Sequence, residues 1–273
     1  MAAASRTADV RVIELCGVGV SVGKAQLLAP TDLLLRAGEL VCVAGPNGAG
    51  KSTLVRALAG ALTPSSGQVS FLGRPLASFS ASERARRRAV VSQRSEIAFG
   101  FSCREVVLLG RHPHSELAEG RRDLEAVERA LARVEVSHLA ERDVTTLSSG
   151  ERQRVEIARA LAQLDSDLPP AETALLLDEP TSNLDLAHQH SVLGLARAAS
   201  REGRLVLAVL HDLNLAAQYA DRLVLLDAGH LAADGSPRAV LTSELIWSVF
   251  RTRALVMPHP ELDCPLVVSA APR

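Results

Sequence analysis

Residues 45–52 combine glycines, a lysine and a serine at a spacing that suits phosphate binding. They read Gly-Pro-Asn-Gly-Ala-Gly-Lys-Ser and match the pattern G-x-x-x-x-G-K-[ST]. Glycines let a loop curl so that successive backbone N–H groups face one anion, and a helix that starts there adds its positive end. In this pattern Lys51 supplies a compact charge to the β- and γ-phosphates of a nucleotide, and the Ser52 hydroxyl binds Mg²⁺. The predicted phosphate-binding residues are Gly45, Pro46, Asn47, Gly48, Ala49, Gly50, Lys51, Ser52 and Thr53.

Lys51 stands in a chain that otherwise uses arginine for its positive charges. Lysine and arginine together number 30, and Lys24 is the only other lysine. The forked guanidinium of arginine substitutes poorly for the point charge of an ammonium. A lysine at this position therefore favours phosphate binding over a glycine-rich turn without a ligand.

Two acids and a histidine follow apolar runs further along the chain. Asp178 and Glu179 follow the run 174–177, and His211 follows the run 205–210. Adjacent acids also occur in plain turns, and a lone histidine after a strand is more often structural. Downstream of a phosphate loop, however, the first acid commonly holds Mg²⁺ and the second can orient or deprotonate an attacking water. We therefore predict Asp178 as a metal ligand and Glu179 as the general base.

These residues need strands and helices that bring them together. Short apolar runs predict strands, and apolar residues at three- and four-residue spacing predict helices. Strands that alternate with helices, interrupted by an all-helical stretch at 104–164, indicate an α/β core with a helical insertion. The segment from Leu241 onward is predicted as a further helix and an irregular end. The predicted strands are 10–15, 39–44, 68–72, 174–177, 205–210 and 222–226, and the predicted helices are 51–61 and 81–88.

The composition excludes several classes of protein. With 22% charged and 47% hydrophobic residues and a net charge of −1, the chain is neither mainly disordered nor a dedicated nucleic-acid binder. No apolar run of about 18 residues is present, so no membrane span is expected. The first nine residues lack the apolar segment of a secretory signal. The four cysteines are far apart and form no Cys-x-x-Cys pair, which argues against a zinc site or a disulfide framework.

Residues 147–151 read Leu-Ser-Ser-Gly-Glu and precede a segment with helical spacing. Locally they predict a serine N-cap with Glu151 in the first turn. They also resemble the LSGGQ signature of ABC-transporter ATPases, with Ser149 in place of a glycine and Glu151 in place of a glutamine. Five further motifs stand in that family's order: the phosphate loop at 45–52, the Q-loop glutamine at Gln93, Walker B at 174–179, the D-loop at 182–185 and the switch histidine at His211.

The resemblance implies a P-loop, RecA-like α/β core with an antiparallel β edge and an inserted helical subdomain. It implies one nucleotide-binding domain over 1–273. The core would comprise about 1–94 and 171–240, the helical subdomain about 95–170, and a C-terminal extension 241–273.

The resemblance also implies a head-to-tail homodimer that binds ATP and Mg²⁺. ATP on the phosphate loop of one subunit would be covered by the signature of the other, with Ser149 and the helix-start N–H groups on the γ-phosphate. Gln93 would sense Mg²⁺ and the γ-phosphate, and His211 would hold the γ-phosphate and the attacking water.

The implied catalytic residues are Lys51, Glu179 and His211. The implied metal ligands are Ser52, Gln93 and Asp178. The further nucleotide-binding residues are Gln93, Ser148, Ser149, Gly150, Glu151 and Asp185.

One segment departs from the family pattern. Family members usually place an aromatic ring against adenine in the segment that corresponds to about 18–24, where this chain has only the aliphatic Val18, Val20 and Val22. Stacking worth ~1 kcal/mol is then lost or replaced by aliphatic contact. Phosphate binding is unaffected by this departure.

Residues 110–114, Gly-Arg-His-Pro-His, are similar to a stretch in the ATPases that serve importers of iron-siderophores, haem and cobalamin. Two histidines without further ligands do not make a metal site, so we favour a surface that docks the permease. His188 and His190 lie two residues apart on a predicted helix and point to different faces, which argues against a metal site formed by this pair. The arginines at 84 and 86–88 are predicted to lie on a solvated face, a phosphate patch being the alternative.

The run 86–93 and the Pro-containing loop 164–173 resemble the ATPases of haem importers. The resemblance implies the ATPase subunit of a bacterial type II importer, most similar to those for haem. The partners would be two transmembrane permease subunits and, indirectly, a periplasmic substrate-binding protein, at the cytoplasmic face of the inner membrane. The alternatives are a ferric-siderophore or cobalamin importer, a soluble ABC ATPase acting on nucleic acid or ribosomes, and a regulator without catalysis.

Overall fold

The computed structural model describes residues 10–92, 100–117 and 120–269, with side chains omitted at 115–117. The strands are β1 (Arg11–Val22), β2 (Ala25–Arg36), β3 (Leu40–Ala44), β4 (Ser66–Phe71), β5 (Arg74–Pro75), β6 (Arg88–Val91), β7 (Ala174–Asp178), β8 (Leu205–Val209), β9 (Arg222–Asp227), β10 (His230–Gly235), β11 (Ala254–Pro258) and β12 (Pro265–Ser269). The α-helices are α1 (Lys51–Leu58), α2 (Ala81–Arg87), α3 (Cys103–Leu109), α4 (Gly120–Arg133), α5 (Ser149–Leu164), α6 (Leu186–Arg201), α7 (Leu213–Tyr219), α8 (Pro237–Val240) and α9 (Ser243–Phe250).

A six-stranded sheet positions the predicted site. Its order is β10-β9-β3-β8-β7-β6, parallel from β9 to β6 and antiparallel at the β10 edge. Strands β3 and β8 are buried along their whole length, because both faces of this sheet are covered. Alternate residues of β3 enter two different cores: Cys42 packs with the helices of one side, and Val43 packs with β1, β2 and α1 on the other. The predicted strands 39–44, 174–177, 205–210 and 222–226 are confirmed within one or two residues.

A second, antiparallel sheet of order β2-β1-β4-β5 forms the predicted β edge. The sequence located only the first half of β1 and did not locate β2. Strand β2 contains Pro30, and its pairing with β1 is interrupted by register shifts, so neither strand has a regular two-residue apolar period. The hairpin that joins β1 to β2 turns at Gly23 and Lys24.

Three helices form the predicted helical insertion. Helix α5 packs against α3, α4 and β6, which joins the insertion to the central sheet. Apolar residues recur on α4 at three- and four-residue spacing: Val127 and Leu131 are fully buried, whereas Leu124 is half exposed.

The C-terminal end differs from the sequence prediction. The expected helix is α9, but the segment expected to be irregular contains the antiparallel hairpin β11–β12. The hairpin is fastened to α7 by one side-chain amide, because Asn214 donates to the Val267 carbonyl (3.1 Å) and accepts from the Val267 N–H (2.7 Å). Strand β11 ends at Pro258 and β12 begins at Pro265, and such short runs next to proline gave no strand signal in the sequence. Within the described ranges, no helix is both long enough and apolar enough to cross a bilayer.

Candidate nucleotide site

The loop 45–50 connects the centre of the parallel sheet to α1. Gly45 (φ 153°) and Gly50 (φ 97°) adopt backbone conformations that side chains disfavour. A Cβ on Gly45 would also strike the carbonyl of Leu226, and one on Gly50 would lie 2.7 Å from the carbonyl oxygen of Leu27. No side chain caps the N-terminus of α1. The first N–H groups of the helix are therefore left for an anion, as the sequence pattern predicts.

The Lys51 side chain is folded into the loop. Its Nζ donates to the carbonyl oxygens of Gly45 and Pro46, both at 2.8 Å. Burial lowers the pKa of this ammonium, while the charges of Glu179 and Asp178 oppose that shift. The positive charge thus lies inside the loop and next to the two acids that end β7.

Ser52 and Asp178 form the part of the site that suits a divalent cation. The Ser52 hydroxyl lies 3.4 Å from Asp178 Oδ1. Burial raises the pKa of Asp178, and the hydrogen bond from Ser52 opposes that shift. A hydroxyl and one carboxylate beside a phosphate loop fit Mg²⁺, which keeps several waters and takes few protein ligands in addition to phosphate oxygens. In the described part of the chain, no group of three or more His, Cys, Asp or Glu residues is arranged to hold a metal by itself.

Glu179 and His211 lie side by side at the ends of β7 and β8. His211 Nε2 is 2.8 Å from Glu179 Oε1, and the Ser182 hydroxyl donates to Glu179 Oε2 at 3.1 Å. Glu179 has a positive φ of 52°, an uncommon conformation for a residue other than glycine that costs ~1–3 kcal/mol and concentrates at functional sites. Both carboxylate oxygens of Glu179 therefore have partners that hold them in place. The adjacent parallel strands β7 and β8 bring Glu179 and His211 together, as their positions in the sequence predict.

The signature segment begins α5 with a capping box. The Ser148 hydroxyl accepts from the Glu151 N–H, and Glu151 Oε2 accepts from the Ser148 N–H at 2.8 Å. The hydrogen bond from the Ser148 backbone is the main reason why the pKa of Glu151 is lowered. Ser149 donates to the carbonyl of Asn183 in the D-loop at 3.3 Å. The predicted N-cap is confirmed, and the Glu151 carboxylate is engaged within its own helix.

The β1–β2 hairpin lies against the phosphate loop and defines the side where a base would lie. The backbone of Leu27 approaches both Gly50 and Gly229. Val18 and Val20 are buried in the core, whereas Val22 is 62% exposed and Leu27 is 37% exposed. Of the three valines in the segment where an aromatic ring was expected, only Val22 is accessible.

Arg111 and His114 face inward, which corrects part of the predicted docking surface. The Arg111 guanidinium binds Asp123 (Nε to Oδ1, 2.8 Å) and donates to the carbonyls of Ala162 and Asp165 at the C-terminus of α5. His114 Nε2 lies 2.9 Å from the Gln163 carbonyl oxygen, and burial lowers the pKa of this imidazole. The exposed side of this region is instead an open groove of about 390 Å³. It is lined by Phe101, Glu105, Leu108, Leu109, Arg111, His112 and Asp123.

The prediction of a solvated arginine face at 84–88 is wrong for two of its members. Arg87 pairs with Glu172 (2.7 Å), and burial lowers the pKa of Arg88 to about 10. These residues bind the chain's own loop 164–173 and the core, so they are not free for phosphate.

Gln93, predicted to sense Mg²⁺ and the γ-phosphate, and the tail 1–9 lie outside the described residues.

Sequence reasoning did not identify one histidine that lies near the signature. It separated His188 from His190 correctly, since His190 Nδ1 bonds the Tyr219 hydroxyl (2.8 Å) while His188 contacts Asp185. It did not anticipate that His188 lies against Gly150, because the two residues are far apart in the chain and no local pattern joins them.

Comparison with known proteins agrees with this arrangement. A family model described as "ABC transporter" matches residues 28–182, more than half of the chain. The hemin import ATP-binding protein of Gloeobacter violaceus is 51% identical, with 94% of each chain covered. That of Myxococcus xanthus is 49% identical over 94% of this chain and 96% of its own. Among solved structures, an inward-facing ABC transporter described as being of the metal-chelate type matches with a TM-score of 0.78 and 28% identity, covering 96% of this chain and 98% of its own.

Proposed function

The chain belongs to the ABC transporter family, and from that premise we propose that it is the ATP-hydrolysing subunit of a haem importer. The observation that carries the proposal is its identity of 49–51% to hemin import ATP-binding proteins over nearly the whole of both chains. The set Lys51, Ser52, Asp178, Glu179 and His211 supports hydrolysis rather than nucleotide binding alone, because an anion cradle, an oxygen donor pair for a cation and a positioned base are all present.

In this proposal the triphosphate lies on the loop 45–50 at the start of α1. The Lys51 ammonium moves its hydrogen bonds from the loop carbonyls to the phosphate oxygens, where the N–H groups of α1 add further donors. Ser52 and Asp178 hold Mg²⁺, which when bound neutralises charge on the phosphates. No arginine finger within the described residues is needed, because charge stabilisation is completed by the signature of a second subunit.

Glu179 acts as the general base for the attacking water. It accepts the water proton on a carboxylate oxygen as the water oxygen bonds to the γ-phosphorus and the bond from the γ-phosphorus to the bridging oxygen of ADP breaks. Ser182 and His211, one on each carboxylate oxygen, fix the direction of that carboxylate. His211 is exposed on its other side and orients the γ-phosphate and the water.

The working unit is a homodimer in which two ATP molecules are sandwiched between facing subunits. The residues Ser148, Ser149, Gly150 and Glu151 and the D-loop residue Asp185 of one subunit approach the phosphate loop of the other. The uncapped start of α1 and the start of α5 then face the same nucleotide from opposite sides, each with a positive helix end. ATP closes this pair and hydrolysis reopens it, which is a two-state device that can move an attached permease.

The groove defined by Phe101, Leu108, Leu109 and His112 receives the permease. Three exposed apolar side chains line it, and contiguous exposed apolar surface is typical of a protein interface. Two permease subunits would place the ATPase pair at the cytoplasmic face of the inner membrane, with a periplasmic substrate-binding protein on the far side.

Reconstitution with its partner permease subunits tests the proposal. In proteoliposomes we expect ATP-dependent uptake of haem that exceeds uptake of a ferric siderophore or of cobalamin. Similarity to an ABC transporter described as being of the metal-chelate type favours those chelates as the second candidate. Uptake of the siderophore or cobalamin without uptake of haem would overturn the assignment of haem as the substrate. ATP hydrolysis without uptake of any of these compounds would overturn the assignment of the chain to an importer.

A further inference from the structure

The imidazole of His188 lies across Gly150 in the signature segment. A Cβ built on Gly150 would fall 2.6 Å from Cγ and 2.8 Å from Nε2 of this ring. These distances are shorter than any ordinary carbon contact, so even an alanine at 150 would force the ring or the turn to move. Gly150 is itself buried, which leaves the turn little room to shift.

The His188 ring is held from its opposite edge and does not move away freely. Asp185 Oδ1 accepts from the His188 backbone N–H at 2.9 Å and lies 2.7 Å from Nδ1 of the same residue. Asp185 is also the N-cap of α6, so the carboxylate that fixes the ring is fixed by the helix. A histidine whose Nδ1 is bound to a carboxylate presents its Cδ2–Nε2 edge in a defined direction, and here that edge lies against Gly150.

A second contact fastens the same turn. The Ser149 hydroxyl donates to the carbonyl oxygen of Asn183 at 3.3 Å, and Asn183 has a positive φ of 60°. The segment 182–188 therefore touches the signature turn at two successive residues. The same segment contacts the proposed general base, because Ser182 donates to Glu179.

We propose that His188 is a positioning residue: it fixes the signature turn 148–150 against the D-loop of its own subunit and supplies a steric reason for glycine at residue 150. This inference rests on the proposed function, because the turn serves the nucleotide of a second subunit only in the ATP sandwich. The ring acts through Gly150 and does not touch the reacting atoms.

Removal of the ring leaves the turn fixed to the segment 182–188 by the long hydrogen bond of Ser149 (3.3 Å). The turn then spends less time in the position that accepts the γ-phosphate of the facing subunit. Apparent affinity falls in proportion to the fraction of competent subunits, so dimer closure needs roughly three- to tenfold more ATP when that fraction falls by the same factor. The phosphate loop of the same subunit is unchanged, and ATP binding by the monomer keeps its affinity.

The experiment measures these two affinities separately in the full chain. All variants carry Glu179→Gln to prevent turnover. Dimer formation is followed by light scattering during an ATP titration with Mg²⁺, and monomer binding is followed with a fluorescent ATP analogue at low protein concentration. His188→Ala should raise the ATP concentration for half-maximal dimer formation and leave monomer binding unchanged. His190→Ala is the matched control, since it removes an imidazole from the same helix without touching Gly150.

A rescue experiment tests the steric part of the inference. Gly150→Ala should abolish dimer formation, and Gly150→Ala with His188→Ala should restore it to the level of His188→Ala alone. Gly194→Ala is the control for adding a methyl group to a helical glycine, because a Cβ there has open space. Thermal unfolding of each variant verifies that it is folded.

Four outcomes would overturn the inference. The first is that His188→Ala dimerises at the same ATP concentration as the parent. The second is that the double variant remains as defective as Gly150→Ala, which would mean that the nucleotide, and not the ring, requires the glycine. A fall in monomer ATP binding equal to the loss of dimerisation would point to a general structural role. If the Glu179→Gln parent stays monomeric at saturating ATP, the proposed sandwich itself fails and the role of His188 fails with it.

Discussion

At the scale of single residues, the site depends on groups held by more than one partner. Glu179 is held through Ser182 and His211, whereas Lys51 would exchange its two carbonyl partners for phosphate oxygens. Fixed groups cost little reorganisation when charge develops in the transition state. The strained backbone of Glu179 is consistent with a position kept for chemistry rather than for stability.

Replacement of the proposed base separates binding from turnover. Glu179→Gln keeps the size and one oxygen of the side chain but accepts no proton from water, so we expect kcat to fall roughly 10²- to 10⁴-fold. ATP affinity should change little because the phosphate loop is untouched. Phosphate release assays and equilibrium nucleotide binding measure the two quantities. A variant that retains parental turnover would show that another group is the base.

The adenine side of the site offers a gain-of-function prediction. Val22 is the exposed one of the three valines in the segment where the family pattern leads us to expect an aromatic ring. Val22→Tyr adds a stacking surface worth ~1 kcal/mol, which corresponds to about fivefold tighter ATP binding. Equilibrium binding of ATP and of inorganic triphosphate measures the effect, and only ATP should gain affinity. An equal gain for triphosphate, or none for ATP, would place the base elsewhere.

At the scale of elements, the sequence predicted best the parts that local patterns determine. The strands that end at 44, 178 and 209 were readable because strands buried on both faces are continuous apolar runs. The capping box at Ser148 was readable because its residues are three positions apart. The phosphate loop and the acids after β7 followed from the same local reading.

The parts that were not predicted depend on distant contacts. Strand β2 and the hairpin β11–β12 are stabilised by pairing and contain prolines that mask a strand pattern. Arg111 and Arg87 appeared as surface charges because their partners, Asp123 and Glu172, are identified only by the fold. His188 and Gly150 meet through tertiary packing. Local patterns therefore identified the chemistry, and only the structure identified what holds it in position.

The C-terminus of α5 depends on one buried arginine. Arg111 is 8% exposed and satisfies two carbonyls of that helix end as well as Asp123. Arg111→Ala leaves a mostly buried carboxylate and carbonyls without this donor, which should lower the free energy of unfolding by ~2–4 kcal/mol. Urea unfolding measures the loss. Arg121→Ala, which removes a nearly fully exposed partner of Glu125, is the control and should cost less than ~0.5 kcal/mol.

The capping box of α5 predicts a dependence of stability on pH. The pKa of Glu151 is below its usual 4.5 because of the Ser148 hydrogen bonds. The cap therefore adds stability that is present above pH 4.5 and is lost as the pH falls through the lower folded-state value. In Glu151→Gln the amide does not titrate. Urea unfolding should show that the parent's free energy of unfolding exceeds that of the variant at neutral pH, and that this difference shrinks as the pH falls below 4.5. A difference that does not depend on pH would contradict the assignment.

At the scale of the whole molecule, α5 joins the two surfaces that the proposed function needs. Its N-terminus presents Ser149 and Gly150, and its C-terminus is bound by Arg111 and His114 of the segment that borders the apolar groove. A helix of 16 residues is about 24 Å long and resists bending over that distance. We therefore expect a displacement at the groove to reach the signature turn as a movement of one rigid element.

The groove gives a prediction for the assembled transporter. Leu109 is 54% exposed at its edge. Leu109→Glu places a charge where an apolar partner surface would bury it, so the affinity for the permease should fall roughly tenfold or more. ATP binding by the isolated subunit should be unchanged, because the groove shares no residue with the phosphate loop. Leu255→Glu makes the same chemical change at an equally accessible position on β11 and is the control. Co-purification with the permease and permease-stimulated ATP hydrolysis are the measurements. If both variants lose affinity for the permease equally, or if Leu109→Glu retains the parental affinity, the permease binds another face. In that case α5 does not receive a displacement from this groove.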